Sequence, residues 1–403
     1  MLPALVVLSA VCIFGLIFVF SSAAAGLWIF ALATSPDSWL DNLIGGHEAT
    51  TGALKSFGLA VLCLAALRYG LKRDPYNPAL AFAAMFLIGL IHGLYPGLTL
   101  QDSVRSLIGS ASPFLFSFIR MPENFRRTVI RAVIWAPLFA TCFAALLATL
   151  GLDHLYTLEL GALRLGGTGQ PPFLAGFALI GIYAGLMDYL SAPRLVSAIS
   201  MAVNFAIVLL TGARAPLFLA MLSILAVLIM QRRLLLLAAA GAAGSCVLIF
   251  GNALSFLRVV DLTQLGDASN LSNRNLVWPY FEQAFSTSPF FGWGVGAGKI
   301  IIPVTSHLNA LLGTNAAHNE YLRVGAEGGV FGLGLLLVLV FLWVRRGCAN
   351  LPAAQRWLMK LIFICFAIHS ATDNTLIATT SSVLFFWASV IFANAENRTT
   401  APA

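Results

Sequence analysis

Two arginines and one histidine stand out from an otherwise apolar chain, because each sits at a bend where its charge or proton could be used. Arg214 lies in Thr211-Gly-Ala-Arg-Ala-Pro216, a very tight turn between two apolar stretches. Pro216 suits the first turn of the helix that follows. An arginine placed there can aim its planar fork at an anion, with the helix N-terminal amides adding to the field. The competing reading is an arginine snorkelling from a helix end towards water. Arg274 lies in Ser272-Asn-Arg-Asn-Leu-Val-Trp278, just before a helix-like piece of a long loop, where a solvated surface arginine is the plainer alternative. His318 opens Ala317-His-Asn-Glu-Tyr-Leu-Arg-Val-Gly-Ala-Glu-Gly-Gly329. Its ordinary pKa lies close to working pH, so it can serve as a general base, and it can equally serve as a capping or solvated histidine.

Around these three lie further candidates. At helical spacing His318, Tyr321 and Leu322 share a face, while Glu320, Arg323 and Glu327 form a series suited to a structural ion-pair ladder. Tyr321, Glu320, Arg105 and Arg258 form a second tier of site candidates, although Arg105 follows Asp102 by three residues and a local pair explains it more simply. The run Gly292-Trp-Gly-Val-Gly-Ala-Gly-Lys299 superficially resembles a phosphate cradle. It lacks the Gly-Lys-Ser/Thr ending and the strand-then-helix setting of a P-loop, so a stack of turns that folds the loop back is the preferred reading. His47, His92, His154, His307 and His369 are scattered and receive no role. The six cysteines show neither CxxC nor Cys/His spacing, so neither a zinc site nor a disulfide framework is implied.

The elements that position these residues are membrane spans. Of 403 residues 59% are hydrophobic and 10% charged, against about 25% charged in a soluble domain; mean hydropathy is +0.89. Apolar stretches of spanning character recur at Leu5–Ile29, Gly52–Tyr69, Ala79–Tyr95, Ser103–Ile119, Ala132–Leu150 and Phe173–Leu190. They continue at Leu195–Leu210, Ala215–Met230, Leu234–Phe250, Gly328–Val344, Trp357–His369 and Leu376–Phe392. The first is long for one span and short for two. An uncleaved first helix is favoured over a signal peptide, although Ser-Ser-Ala-Ala-Ala at 21–25 loosely resembles a cleavage site.

Charge tests this map independently. The even-numbered loops and the tail hold 15 of the 23 Lys and Arg but only four of the 16 acids. Under the positive-inside rule that side is cytoplasmic, with both termini on it. The net charge of +7 therefore reports topology and gives no reason to expect nucleic acid. The expected fold is an all-α polytopic membrane protein of about twelve transmembrane helices. Residues 1–250 would hold helices 1–9, residues 251–327 a large outer loop region with short helices, and residues 328–403 helices 10–12 and a cytoplasmic tail. The loop contains a helical piece at Asn275–Phe285, and Leu262, Leu265, Trp278, Tyr280, Phe281, Phe290, Phe291 and Trp293 make it apolar enough to pack on the bundle.

Taken together, the Gly-Ala-Arg turn, the Arg274 segment, Ser288-Pro-Phe-Phe-Gly-Trp-Gly-Val-Gly296 and His318-Asn-Glu-Tyr-Leu followed by Glu327-Gly-Gly resemble the O-antigen ligase family, the Wzy_C or WaaL-type superfamily. The resemblance implies a GT-C-like, metal-independent glycosyltransferase of the bacterial inner membrane with a periplasmic site and no cofactor. It would move an O-antigen polysaccharide from undecaprenyl diphosphate onto lipid A-core in lipopolysaccharide biosynthesis. Carried over by position, Arg214 and Arg274 would hold the donor diphosphate and His318 would be the catalytic base. O-antigen polymerases and protein O-oligosaccharyltransferases share this layout, so the acceptor stays open. A secondary transporter is the alternative from another class, disfavoured because charge is nearly absent from the span interiors and the one large loop is one-sided.

Overall fold

The computed structural model describes residues 12–44, 47–159, 162–233, 276–312 and 315–400. The expected ninth span, Leu234–Phe250, lies outside them, as do Arg258, Leu262, Leu265 and Arg274. Helices dominate: α1 (Cys12–Val19), α2 (Ser21–Ala33), α3 (Pro36–Ile44), α4 (His47–Tyr69), α5 (Ala79–His92), α6 (Leu100–Leu115), α7 (Glu123–Thr149) and α8 (Pro171–Ser191). They continue with α9 (Leu195–Thr211), α10 (Arg214–Met230), α11 (Trp278–Thr287), α12 (His307–Leu312), α13 (Glu320–Gly347), α14 (Ala353–Ser370) and α15 (Thr379–Thr400).

Every expected span within the described residues carries a helix. Thr50–Tyr69, Glu123–Thr149, Pro171–Ser191 and Glu320–Gly347 are long and apolar enough to cross a bilayer alone, and the α1–α2 pair makes a fifth if taken together. That pair overlaps Leu5–Ile29, the stretch that is long for one span and short for two. The chain bends by 102° between Val19 and Ser21. Arg68, at the end of α4, donates to the carbonyls of Phe18 and Val19, and Tyr69 hydrogen-bonds Ser21 at 2.8 Å. The polar Ser21-Ser22 pair thus starts a buried helix at the level where α4 ends, and α1 turns aside there.

A departure from the all-helical expectation is a two-stranded antiparallel hairpin, β1 (Tyr156–Glu159) with β2 (Ala162–Leu165), in the connection between α7 and α8. The helical piece of the long loop also begins later than Asn275. Pro279 belongs in a first turn, where its missing N–H costs nothing, so α11 starts at Trp278.

Connections sort into two sets, one at each end of the bundle. At one end Lys72 pairs with Glu396 at 2.6 Å. Asp74 there accepts from Ser117 at 2.6 Å and from Trp343 at 3.0 Å. At the other end Thr168 donates to the Thr34 carbonyl, Arg164 to Thr211, Tyr95 to Trp293 and His318 to Asn374. The first set joins loops that the charge pattern assigns to one side, and the second joins loops assigned to the other.

The glycine run docks into a break in α13. Gly329 has φ 60° and ψ −165°, a backbone region essentially restricted to glycine. The break frees groups that a helix would have paired. Trp293 and Gly294 donate to the carbonyls of Ala326 and Glu327 at 2.9 and 2.8 Å, and the amides of Val330 and Phe331 donate to Pro289 and Phe290 at 2.8 and 3.2 Å. A side chain at 329 would collide with the Phe290–Phe291 backbone. Above this joint a small second core of Val277, Phe281, Ala284, Ile301, Ile302, Ala317 and Ala326 seals the outer region to the bundle. Gly329→Val is expected to destabilise the protein by about 3 kcal/mol through strain and steric conflict, read as a lower thermal unfolding midpoint in detergent beside an unchanged Gly334→Ala control, since nothing lies within 4 Å of a side chain at 334.

Candidate functional site

His318 precedes α13 by two residues and is not part of it, which corrects the reading of it as the first helical residue. Asn319 is the cap, its Oδ1 accepting from the amides of Tyr321 and Leu322 at 3.0 and 3.2 Å. His318 itself has φ 49°, uncommon for a residue with a side chain and a mark of local constraint. Two contacts impose it. Trp278 Nε1 donates to the Ala317 carbonyl at 3.0 Å, and the His318 amide donates to Asn374 Oδ1 at 2.8 Å.

The imidazole then meets the turn between α14 and α15. Its Nδ1 is 3.4 Å from Asp373 Oδ1 and 3.3 Å from Asn374 Nδ2. On the far side of the same carboxylate, Oδ2 is 3.7 Å from His369 Nε2. The His318 side chain is 25% exposed and Asp373 33%, so solvent reaches a pair that the fold nonetheless holds. Sequence reasoning missed Asp373 and Asn374 and gave His369 no role. A signal was present: Asp373 is the sole acid between Glu327 and Glu396, and it follows His369 by four residues at a helix end.

Glu320, Arg323 and Glu327 form the expected ladder. Arg323 donates to Glu320 at 2.6 Å and to Glu327 at 2.8 Å, with all three side chains 5% exposed or less. The spare carboxylate oxygens are satisfied too. Glu327 accepts from the Gly298 amide at 3.2 Å and Glu320 from the Leu376 amide at 2.9 Å. The ladder therefore ties the glycine run and the α14–α15 connection to the head of α13, on either side of His318. Tyr321 donates to the Ala367 carbonyl at 2.8 Å, adding a further link to α14.

Arg214 occupies the first position of α10, as the tight-turn reading anticipates. Gly212 takes a left-handed conformation with φ 61° after α9, and Ala213 donates to Thr211 Oγ1 at 3.3 Å. The turn is clasped from outside by the buried Arg164 of β2, whose Nε donates to the Thr211 carbonyl at 2.7 Å. α10 runs beside α14, with Ser223 Oγ 3.9 Å from Cys365 Sγ. Counting back from Ser223 to Arg214 along α10, and forward from Cys365 to Asp373 at the end of α14, covers nearly the same number of residues, which brings Arg214 and Asp373 to the same end of the bundle. A cavity between α8, α10, α14 and α15 is lined by Leu219, Tyr183, His369, Thr375 and Ser381 among others; His369 and Leu219 reach it, rather than His318 and Arg214 themselves. Arg105 faces Asp102 at 3.7 Å with both side chains more than half exposed, the simple local pair.

The architecture defines a helical membrane protein with a histidine–aspartate pair and an arginine-headed helix gathered at one end. Residues 199–337 match the Wzy_C family model, O-Antigen ligase, the family that the chain's motifs resemble. No curated protein matches it. The matched stretch contains Arg214, Arg274 and His318, and Asp373, Asn374 and His369 lie beyond it. Replacing Arg323 by Met leaves two buried carboxylates without their cation, and a loss of about 3–5 kcal/mol follows, expected as a large drop in the unfolding midpoint that Arg105→Met does not reproduce.

Proposed function

We propose that this chain is an O-antigen ligase, a metal-independent inverting glycosyltransferase of the bacterial inner membrane. It would transfer O-antigen polysaccharide from undecaprenyl diphosphate to lipid A-core at the periplasmic face, with both termini cytoplasmic. The observation that carries the reading is the His318 imidazole held against Asp373 within an O-antigen ligase family chain.

The acceptor is a sugar hydroxyl, far too weak an acid to ionise unaided. His318 accepts its proton as the oxygen attacks the anomeric carbon, a contribution of roughly 10²–10⁴-fold. Asp373 beside Nδ1 orients the ring and stabilises the imidazolium that forms. As the sugar C1–O bond breaks, negative charge grows on the diphosphate. Arg214 and Arg274 meet it with permanent, bidentate positive charge, and the amides at the head of α10 add to that field. One displacement with no enzyme nucleophile inverts the anomeric centre. Both substrates are lipids, which explains a site at the end of a helical bundle.

His318→Ala and Arg214→Ala are expected to abolish transfer from a lipid-linked glycan to lipid A-core, while membrane insertion and unfolding midpoint stay near wild type. Wild-type transfer by either variant removes that residue from the mechanism. Product formed only on a second lipid-linked repeat makes the chain a polymerase. Activity is expected to persist in EDTA, and metal-restored activity after chelation would overturn the arginine-based account.

A further inference from the structure

We propose that His369 is a positioning residue of this site, which acts through Asp373 to select the His318 tautomer whose Nε2 is the base; this rests on the transfer reading above. His318 Nδ1 faces two groups with opposite demands. The Asp373 carboxylate, 3.4 Å away, accepts a proton from it, and the Asn374 amide nitrogen, 3.3 Å away, offers one to it. Asn374 cannot settle the conflict by turning its amide over, because its Oδ1 already accepts the His318 backbone N–H at 2.8 Å. The charge on Asp373 therefore decides. A hydrogen bond to an ionised acceptor is about twice as strong as a neutral one, so a carboxylate held ionised keeps the proton on Nδ1 and the lone pair on Nε2. Should that charge be lost, the Asn374 amide supplies Nδ1, and Nε2 carries the proton instead.

His369 is placed to hold that charge. Its Nε2 lies 3.7 Å from Asp373 Oδ2, the oxygen turned away from His318, and its side chain is only 14% exposed. That separation is too long for a hydrogen bond and suits an ion pair. His369 stands in the last turn of α14, where the helix dipole favours a cationic imidazole. The i, i+4 spacing on one helix end fixes it relative to Asp373. Asp373 Oδ1 is fixed in turn by the Asn374 backbone N–H, which donates to it at 2.8 Å. The two carboxylate oxygens thus have separate tasks, one towards each imidazole.

The test compares wild type with His369→Phe and His369→Lys in the lipid-linked glycan assay. A base presented as the wrong tautomer is costly, so His369→Phe is expected to lower kcat by roughly 10- to 100-fold with KM for the donor unchanged. His369→Lys, which keeps a cation beside the same carboxylate, should recover most of that loss. In protein carrying 15N-labelled histidine, the His318 signal, assigned by its absence in His318→Ala, is expected as the Nδ1–H form in wild type and displaced towards the Nε2–H form in His369→Phe. An unchanged kcat, an unchanged His318 tautomer, or equal losses of activity and unfolding midpoint in both variants would overturn the proposal. Wild-type protein that transfers no glycan would defeat the functional reading, and the nitrogen shifts would still decide the tautomer.

Discussion

A chain that crosses hydrocarbon cannot leave its amides and carbonyls unpaired, and α13 meets that constraint at Gly329, where its helix breaks. The freed groups are taken up by residues 289–294, which run alongside the break and exchange hydrogen bonds with both of its sides. The solution requires closeness that side chains would forbid. Gly294 backs onto Gly89 of α5, and Gly292 lies against the Glu327–Gly328 backbone. A run that looks like a phosphate cradle is thereby used up in main-chain pairing. Its service to the site is indirect: it anchors the outer region to the head of α13.

That anchoring reaches the chemistry through the Glu320–Arg323–Glu327 ladder. One carboxylate grips Gly298 of the glycine run and the other grips Leu376 beside the α14–α15 turn. His318 sits between these clamps with its backbone bonded to Asn374 and its ring against Asp373. A buried ion triad contributes little net stability over an apolar replacement. Its use here is geometric, since it fixes two loops distant in sequence on two successive turns of one helix. Arg164 performs a comparable service for the Gly-Ala-Arg turn, holding the Thr211 carbonyl from a neighbouring hairpin.

Much of this layout was legible in the sequence because bilayer physics writes strong signals. Apolar runs located the helices, and alternating loop charge anticipated which connections meet. Lys72 with Glu396, and His318 with Asn374, are pairings that the assignment of sides allows. Arg214 was legible for a local reason, since Gly-Ala-Arg-Ala-Pro admits few conformations between two helices. The bend at Phe20 was hidden because both of its arms are equally apolar, so hydropathy runs through it unbroken. The hairpin at 156–165 was hidden by its shortness. Asp373 was missed because its significance is a matter of contact with a residue fifty-five positions earlier, and the one local sign, its spacing of four from His369 at a helix end, does not point to that partner. The left-handed turn at His318 depends on that same distant stretch, and helical spacing alone placed the residue at the start of α13, two positions beyond where it stands.

The dependence of His318 on Asn374 also bears on when, during biosynthesis, the protein becomes competent. Chains emerge from the ribosome N-terminus first, and the turn at 371–378 follows fourteen of the fifteen described helices. A nascent chain that has delivered all of residues 199–337 holds the whole stretch that matches the family model and still lacks both the amide oxygen that receives the His318 backbone and the carboxylate that faces its ring. The histidine waits, unoriented, for the penultimate helix to insert and bring its partners across. Completion of the centre is thus timed by the last insertion events, and an arrested or truncated product would lack the oriented histidine however well its earlier helices had settled in the bilayer.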